Sequence, residues 1–411
     1  MHLQGSYLFL VFLGIVYVIT ASSEHEHANT TRATFNVLDY GAVGGRHTDS
    51  AMAFWEAWNA TCSSEAENST LIIPRMRFLL SPITFDGPCR PQRIKILILG
   101  RLLAPESPEA WRDFDPGQWL AFRGVNGLEI AGPGTINGRG SGWWNQSCRY
   151  HPKLEGCTTL APTALKVLSC KNIWLRDIHF INSSQSHILI EGCDGIKIEN
   201  LMIEAPGNSP NTDGIHIHAS HNVIINNTII ASGDDCISIG DHIPNIAISY
   251  IKCGPGHGIS IGSLGKSGNV VQVENVHVSK VTLQGTTNGA RIKTWQVGQG
   301  NVRGVRFEDF FLDSVKNPII INQNYCKVRG ACEELPTGVH ISDISFKNFY
   351  GTSSTNIAIN LNCSLSVPCT EILMKSIYLR SAIAAPNVTS SCRNAYGIAF
   401  GVVHPSPCFQ I

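Results

Sequence analysis

The chain has 411 residues, and its 31 lysines and arginines balance 31 aspartates and glutamates, with a sequence pI of about 7.2. That neutrality excludes a global field of the kind that gathers nucleic acid or an anionic membrane, so an anionic partner has to be held by local cations. Charged residues make up 15% against 43% hydrophobic, with 38 glycines, a balance that excludes a disordered chain and suits a well-buried, strand-rich fold.

Residues 1–23 read as a secretory leader, with an apolar run from Tyr7 to Ala21, small residues, then polar chain, and cleavage expected near Ser22 or Ser23. The run is too short for a comfortable membrane span. Its flank carries no Lys or Arg, only His2, which leaves a signal anchor as the alternative. Residues 24–411 are then expected to form one secreted domain, free of membrane once the leader is gone. Next, "TDSAMAFWEAWNATCSS" predicts an amphipathic helix with Ala51, Phe54, Trp55 and Trp58 facing inward and Asp49 or Ser50 as N-cap. Sugar stacking by the two tryptophans is the competing reading, and helical aromatic spacing favours the core.

Fourteen cysteines, and N-glycosylation acceptors from Asn29 to Asn387, agree with an oxidising compartment. Proximity suggests pairing Cys62 with Cys89, Cys148 with Cys157, Cys236 with Cys253, Cys326 with Cys332, Cys363 with Cys369 and Cys392 with Cys408. Spacing alone leaves the connectivity open. Cys170 and Cys193 remain over as expected buried thiols, and no CxxC or other zinc spacing occurs.

From Asn126 a short phrase keeps returning, as in "KNIWLRDIHFIN", "DGIKIENLMIEA" and "HNVIINNTIIAS". Each copy joins a turn residue to alternating apolar positions. The starts at Asn172, Gly195, Asn222 and Asn245 lie 23, 27 and 23 residues apart, the recurrence of a solenoid whose units bury their faces only against stacked neighbours. Ile and Val dominate where a leucine-rich horseshoe needs Leu at fixed offsets, and two or three short strands fit each period. The fold class expected is therefore all-β, a right-handed parallel β-helix. Open coils expose apolar interior and unpaired edges, and the short N-terminal helix is the expected cap of the first coil.

In the middle of the repeats stands "GDDCISIG", where Asp234 and Asp235 adjoin directly ahead of an apolar strand. One period upstream lies Asp213 in "NTDGIHIH", and one period downstream His257 in "GPGHGISIG", at separations of 21 from Asp213 to Asp234 and 22 from Asp235 to His257. Residues one coil apart stack about 4.8 Å apart on one face, so the three sites converge. Arg291 and Lys293, two apart in "ARIKTW", share a strand side and border the patch. Taken singly, each feature is an ordinary turn, a structural histidine or a solvated face; their coincidence at coil spacing favours a site. His216 and His218 share a strand face in "HIHASH" but lack a third ligand at metal spacing, so His216 is expected to brace the site. Crowded carboxyls suit glycosidic hydrolysis, because like charges and burial keep a proton on the one that must donate it. Inverting enzymes place the two carboxyls roughly 6.5–9.5 Å apart. Both Asp234 and Asp235 reach the cleft only if the chain bends there, with Gly233 as the expected enabler.

The motifs NTD (Asn211 to Asp213), GDD (Gly233 to Asp235), GHG (Gly256 to Gly258) and RIK (Arg291 to Lys293), in this order, resemble those of the polygalacturonases, the pectin-hydrolysing β-helical glycosidases. The stretches "FNVLDYGAVG", "SPITFDGPC", "GTINGRGSGWW" and "KNPIIINQNYC" are similar to the plant branch. The resemblance implies inverting hydrolysis of α-1,4 galacturonosidic links, with Asp234 as general acid, Asp213 and Asp235 activating water, and His257 in an essential supporting role. It further implies that Arg291 and Lys293 bind galacturonate carboxylates and that Asn211 serves substrate binding and helps arrange the acids. No metal or cofactor is implied; the expected partner is pectic polysaccharide, and the expected state a monomer in the cell wall. Departures fall in "GDHIPN" and in "INSSQSH" near Ser184, and bear on substrate pattern. Two rivals stay open, a Ca²⁺-dependent pectate lyase on a similar solenoid and a wall-binding protein that has lost turnover.

Overall fold

Aliphatic residues at every second position build strands whose buried edges stack coil upon coil. In the computed structural model, which describes residues 31–326, 334–383 and 387–410, the chain winds through two parallel sheets of 18 and 11 strands. The leader, Asn29 and Cys332 lie outside the described residues. The 11-stranded sheet takes one strand from each coil, from Ile83–Asp86 to Thr389–Arg393. Parallel strands joined by crossovers wind right-handed, and the fold is the expected right-handed parallel β-helix. Residues from Thr31 onward form one unit.

Two aliphatic ladders make the core. One runs Leu165, Ile188, Ile215, Ile237 and Ile259 in strict register. The other runs Ile173, Ile196, Val223, Ile246, Val276 and Val305. All are buried, so each methylene is removed from water and packed against the coils on either side. Farther along, stacked aromatics replace aliphatics, with Phe310 over Phe349 at 4.6 Å and Phe307 over Phe346 at 5.5 Å between ring centroids.

The turn residue of each sequence repeat proves to be a corner. Asn172, Gly195, Asn222 and Asn245 all adopt left-handed backbone, with φ of 54°, 73°, 53° and 62°, a region that Asn and Gly enter at least cost. The asparagine side chains among them also bond from coil to coil, as in the 2.9 Å bond from Asn172 to Asn126. The repeat is thus a pattern of corners as much as of strands.

Helix Ala51–Cys62 covers the first coil, burying Phe54, Ala57, Trp58 and Thr61, and Trp58 donates its indole N–H to the Asp86 carbonyl at 3.0 Å. Trp55, expected inside, is 43% exposed. One residue rotates the helix by about 100°, which carries Trp55 past the edge of the stripe centred on Phe54, Ala57 and Thr61. Asp49 takes the capping role, accepting the Ala51 N–H at 3.0 Å, whereas the Ser50 hydroxyl turns to Val43. Disulfides join Cys62–Cys89, Cys148–Cys157, Cys236–Cys253, Cys363–Cys369 and Cys392–Cys408, while Cys170 and Cys193 are buried thiols.

Candidate active site

Strand Ile237–Ile239 starts two residues after the acid pair, and the chain bends at Gly233 and Asp234. Gly233 enables the bend through space rather than through a left-handed φ: a Cβ there would stand 1.9 Å from the Ser209 carbonyl oxygen of the preceding coil. Its N–H donates to the Thr212 hydroxyl at 3.0 Å, and Thr212 packs on Ser209 through a 2.6 Å hydroxyl contact. Gly233→Ala is expected to cost about 2–3 kcal/mol of stability through overpacking, read as a lower urea midpoint at unchanged m.

Ile215, Ile237 and Ile259 pair in register, and two residues before each stand Asp213, Asp235 and His257. Asp213 therefore aligns with Asp235, and Asp234 is the residue the bend throws out of line. GHG places His257 through a second close pass, since a Cβ on Gly258, at φ +78°, would meet the Asn288 carbonyl at 2.1 Å. His257 then donates its backbone N–H to the Asp234 carbonyl at 2.8 Å, and its Nδ1 lies 2.9 Å from Asp234 Oδ1.

The three carboxyls occupy unlike environments. Burial, and then the charges of Asp234 and Asp235, push the Asp213 carboxyl well above the usual range; Lys293 and the Ser238 hydroxyl, 2.8 Å away, only partly offset them. Burial presses Asp234 upward too, but His257 and the Arg149 guanidinium, 2.5 Å from Oδ2, outweigh it and hold that carboxyl well below its usual range. Asp235, only 1% exposed, has one oxygen on Arg291 and on Ser260 Oγ and the other on Lys293 Nζ at 2.8 Å.

Crowding thus falls unequally on the acids, raising the proton affinity of Asp213 while His257 and Arg149 lower that of Asp234. His216 braces the site as expected. The Ser238 hydroxyl donates to Asp213, so the 2.7 Å contact from His216 Nδ1 to Ser238 Oγ requires the proton on Nδ1. Burial lowers the His216 pKa to about 4, keeping the ring neutral. His187, from "INSSQSH", holds the Asp213 carbonyl from the other side at 3.0 Å.

Arg291 and Lys293 do share a face, and both spend it on Asp235 in the free protein. Asn211 is exposed, in left-handed backbone at φ 55°, and its side chain has no hydrogen bond to the acids; its neighbour Thr212 accepts the Gly233 N–H ahead of the pair. A cavity of about 560 Å³ opens beside His257, Arg291 and Lys293, walled by Asn322, Tyr325 and Arg393. Donor atoms of Asp234, Asp235 and His257 lie within 4.8 Å of one another, a spacing that suits a cation. The carboxylate oxygens there are already engaged by three cationic side chains. Arg149 carries no periodic signature: it reaches Asp234 across 85 residues from the segment closed by Cys148–Cys157.

A parallel solenoid presenting three carboxyls in unlike electrostatic states, with Arg291 and Lys293 held against one of them, defines a class, the β-helical glycoside hydrolases. Residues 62–401 match the model of glycosyl hydrolases family 28, and the chain belongs to that family. It is 42% identical over 375 residues to a probable polygalacturonase of Arabidopsis thaliana, covering 91% of this chain and 84% of the relative. It is 40% identical to a polygalacturonase of Malus domestica, covering 90% of this chain and 78% of the relative. Among solved structures, the polygalacturonase of Erwinia carotovora superposes with a TM-score of 0.73 at 25% identity, covering 90% of this chain and 96% of the other.

Proposed function

We propose that this protein hydrolyses α-1,4 galacturonosidic links of polygalacturonate with inversion, acting as a secreted monomer on cell-wall pectin. Family membership and the relatives' activity support the reaction class. The observation that carries the mechanism is the juxtaposition of Asp213, Asp234 and Asp235 with His257, Arg149, Arg291 and Lys293 at the bend. Asp234, the one out of register with the other two, is the general acid. Asp213 and Asp235, aligned behind it, position and deprotonate the water. Asp235 has both oxygens held by cationic or hydroxyl donors, which suits it to hold water rather than to attack the sugar.

One turnover consumes the Asp234 proton at the leaving oxygen and delivers a water proton to the basic pair. That end state, with Asp213 protonated and Asp234 charged, is the one favoured by the environments of the two carboxyls in the free protein. Substrate entry has to reverse it. A galacturonate carboxylate competes for Arg149, and its arrival both frees Asp234 from a cation and sets a negative charge nearby. Each change raises the proton affinity of Asp234.

The test is incubation with polygalacturonate, following new reducing ends and the anomeric proton of the first product. Saturated products born in the β configuration are expected. A product born in the α configuration overturns inversion, and an unsaturated uronide overturns hydrolysis in favour of elimination.

A further inference from the structure

Outside the catalytic turns, arginines gather on the 18-stranded sheet near the N-terminal end. Strand Arg77–Leu79 pairs with Arg101–Leu103, which pairs with Thr135–Asn137, so Arg77 stands directly over Arg101. Phe78, Leu102 and Ile136 point into the core, and alternation turns the two arginines outward. Like charges in register are destabilising, so the arrangement has no structural advantage. Two cavities of about 500 and 200 Å³ share Arg77, Arg101 and Thr135 as walls; Arg75 lines the first, and Arg46 and Arg139 line the second. Glu106 is the one carboxylate lining either cavity, and it is paired with Arg139. Among the described residues the other four arginines make no ion pair. Five guanidiniums against one carboxylate, in a chain of zero formal charge, are a local surplus.

Shape adds to charge. The corner at Gly100 is drawn so tight that a Cβ would lie 2.2 Å from the Pro74 oxygen, recessing the floor between Arg75 and Arg101. Every cation is Arg and none is Lys, which selects planar anions that accept a guanidinium fork. The catalytic turns lie four coils farther along, counting the strands Gln118–Arg123, Thr163–Leu168, Ile188–Glu191, Ile215–His218 and Ile237–Ile239. At one inter-strand spacing per coil that is roughly 20 Å along the axis.

We propose that this arginine groove is a second binding site for an anionic polysaccharide, holding uronate carboxylates of the polymer away from the bond being cut. The proposal rests on the polygalacturonate reading above for its ligand. A polymer held there keeps its other residues at high effective concentration near the catalytic turns, so the groove matters for long chains and not for short ones.

The experiment compares the intact protein with Arg77→Gln/Arg101→Gln. The expected result is an unchanged kcat/KM on trigalacturonate and a KM on polygalacturonate raised about tenfold at low salt, from loss of two guanidinium contacts. The difference should vanish at high salt, where charge is screened. In parallel, retardation in gels cast with polygalacturonate should weaken for the variant, with neither protein retarded by fully methyl-esterified pectin. Equal retardation and equal polymer KM overturn the groove. Retardation of both proteins by the esterified polymer also overturns it, since binding then does not read carboxylates. Failure of the unaltered protein to cut either substrate strikes the activity reading alone, because gel retardation needs no turnover.

Discussion

Asp234→Asn is expected to lower kcat by about a thousandfold, within the range general acid–base catalysis supplies, while leaving the fold intact. The amide matches the carboxyl in shape and keeps one carbonyl oxygen with two lone pairs, so the contacts to the Asp235 N–H, at 2.9 Å, and to His257 both retain a partner. It has no proton to transfer to the leaving oxygen. Removing the charge also removes what Arg149 pairs with, and a partly exposed pair of this kind contributes on the order of 1 kcal/mol at most. The thermal midpoint should accordingly move little while turnover collapses, and KM should stay within a few-fold. Residual kcat within tenfold of the unaltered protein sinks the acid assignment, whatever happens to stability.

The site was legible in the sequence to the extent that its parts follow the coil period. Asp213, Asp235 and His257 stand at one-coil intervals, and Arg291 and Lys293 alternate along a strand, so spacing alone brought them together. The adjacency of the two acids also called for the bend at Gly233; which of them leaves the register was not legible, because that depends on how Gly233 passes Ser209 one coil away. Ser238 and Ser260 were hidden for a related reason. They sit inside apolar "ISI" strands, and only the stacking of His216, Ser238, Ser260 and Arg291 shows that these hydroxyls form a polar row beneath the acids.

The distribution of charge was the least legible part. Crowding pointed to a raised carboxyl, but Asp234 is held down by His257 and then by Arg149, and Arg149 arrives from a segment without strand periodicity. Asn211 shows the opposite failure. Its place in the motif suggested a brace for the acids, yet its side chain is exposed, and its neighbour Thr212 holds the Gly233 N–H instead. Trp55 and Trp58 looked alike in sequence; helix phase separates a core anchor from a surface residue.

Arg149→Gln separates the protonation cycle from a merely structural loop. The free-state Asp234 carboxyl is pressed upward by burial and held down by His257 and Arg149, so deleting the guanidinium removes one of the groups holding it down and raises its proton affinity. The acid works only when protonated, and kcat/KM reports the free enzyme. The alkaline fall of kcat/KM should therefore move to higher pH in the variant. If substrate draws Arg149 off Asp234 as proposed, the pH profile of kcat should stay where it was. Loss of a charge-assisted contact to galacturonate, about 1.5–3 kcal/mol, should raise KM on polygalacturonate by roughly ten- to a hundredfold, with a much smaller change on partly methyl-esterified polymer. A uniform fall in kcat/KM at every pH, with no displacement of its alkaline limb, would mean that Arg149 only holds the Cys148–Cys157 segment in place, and the exchange of partners at Asp234 would have to be abandoned.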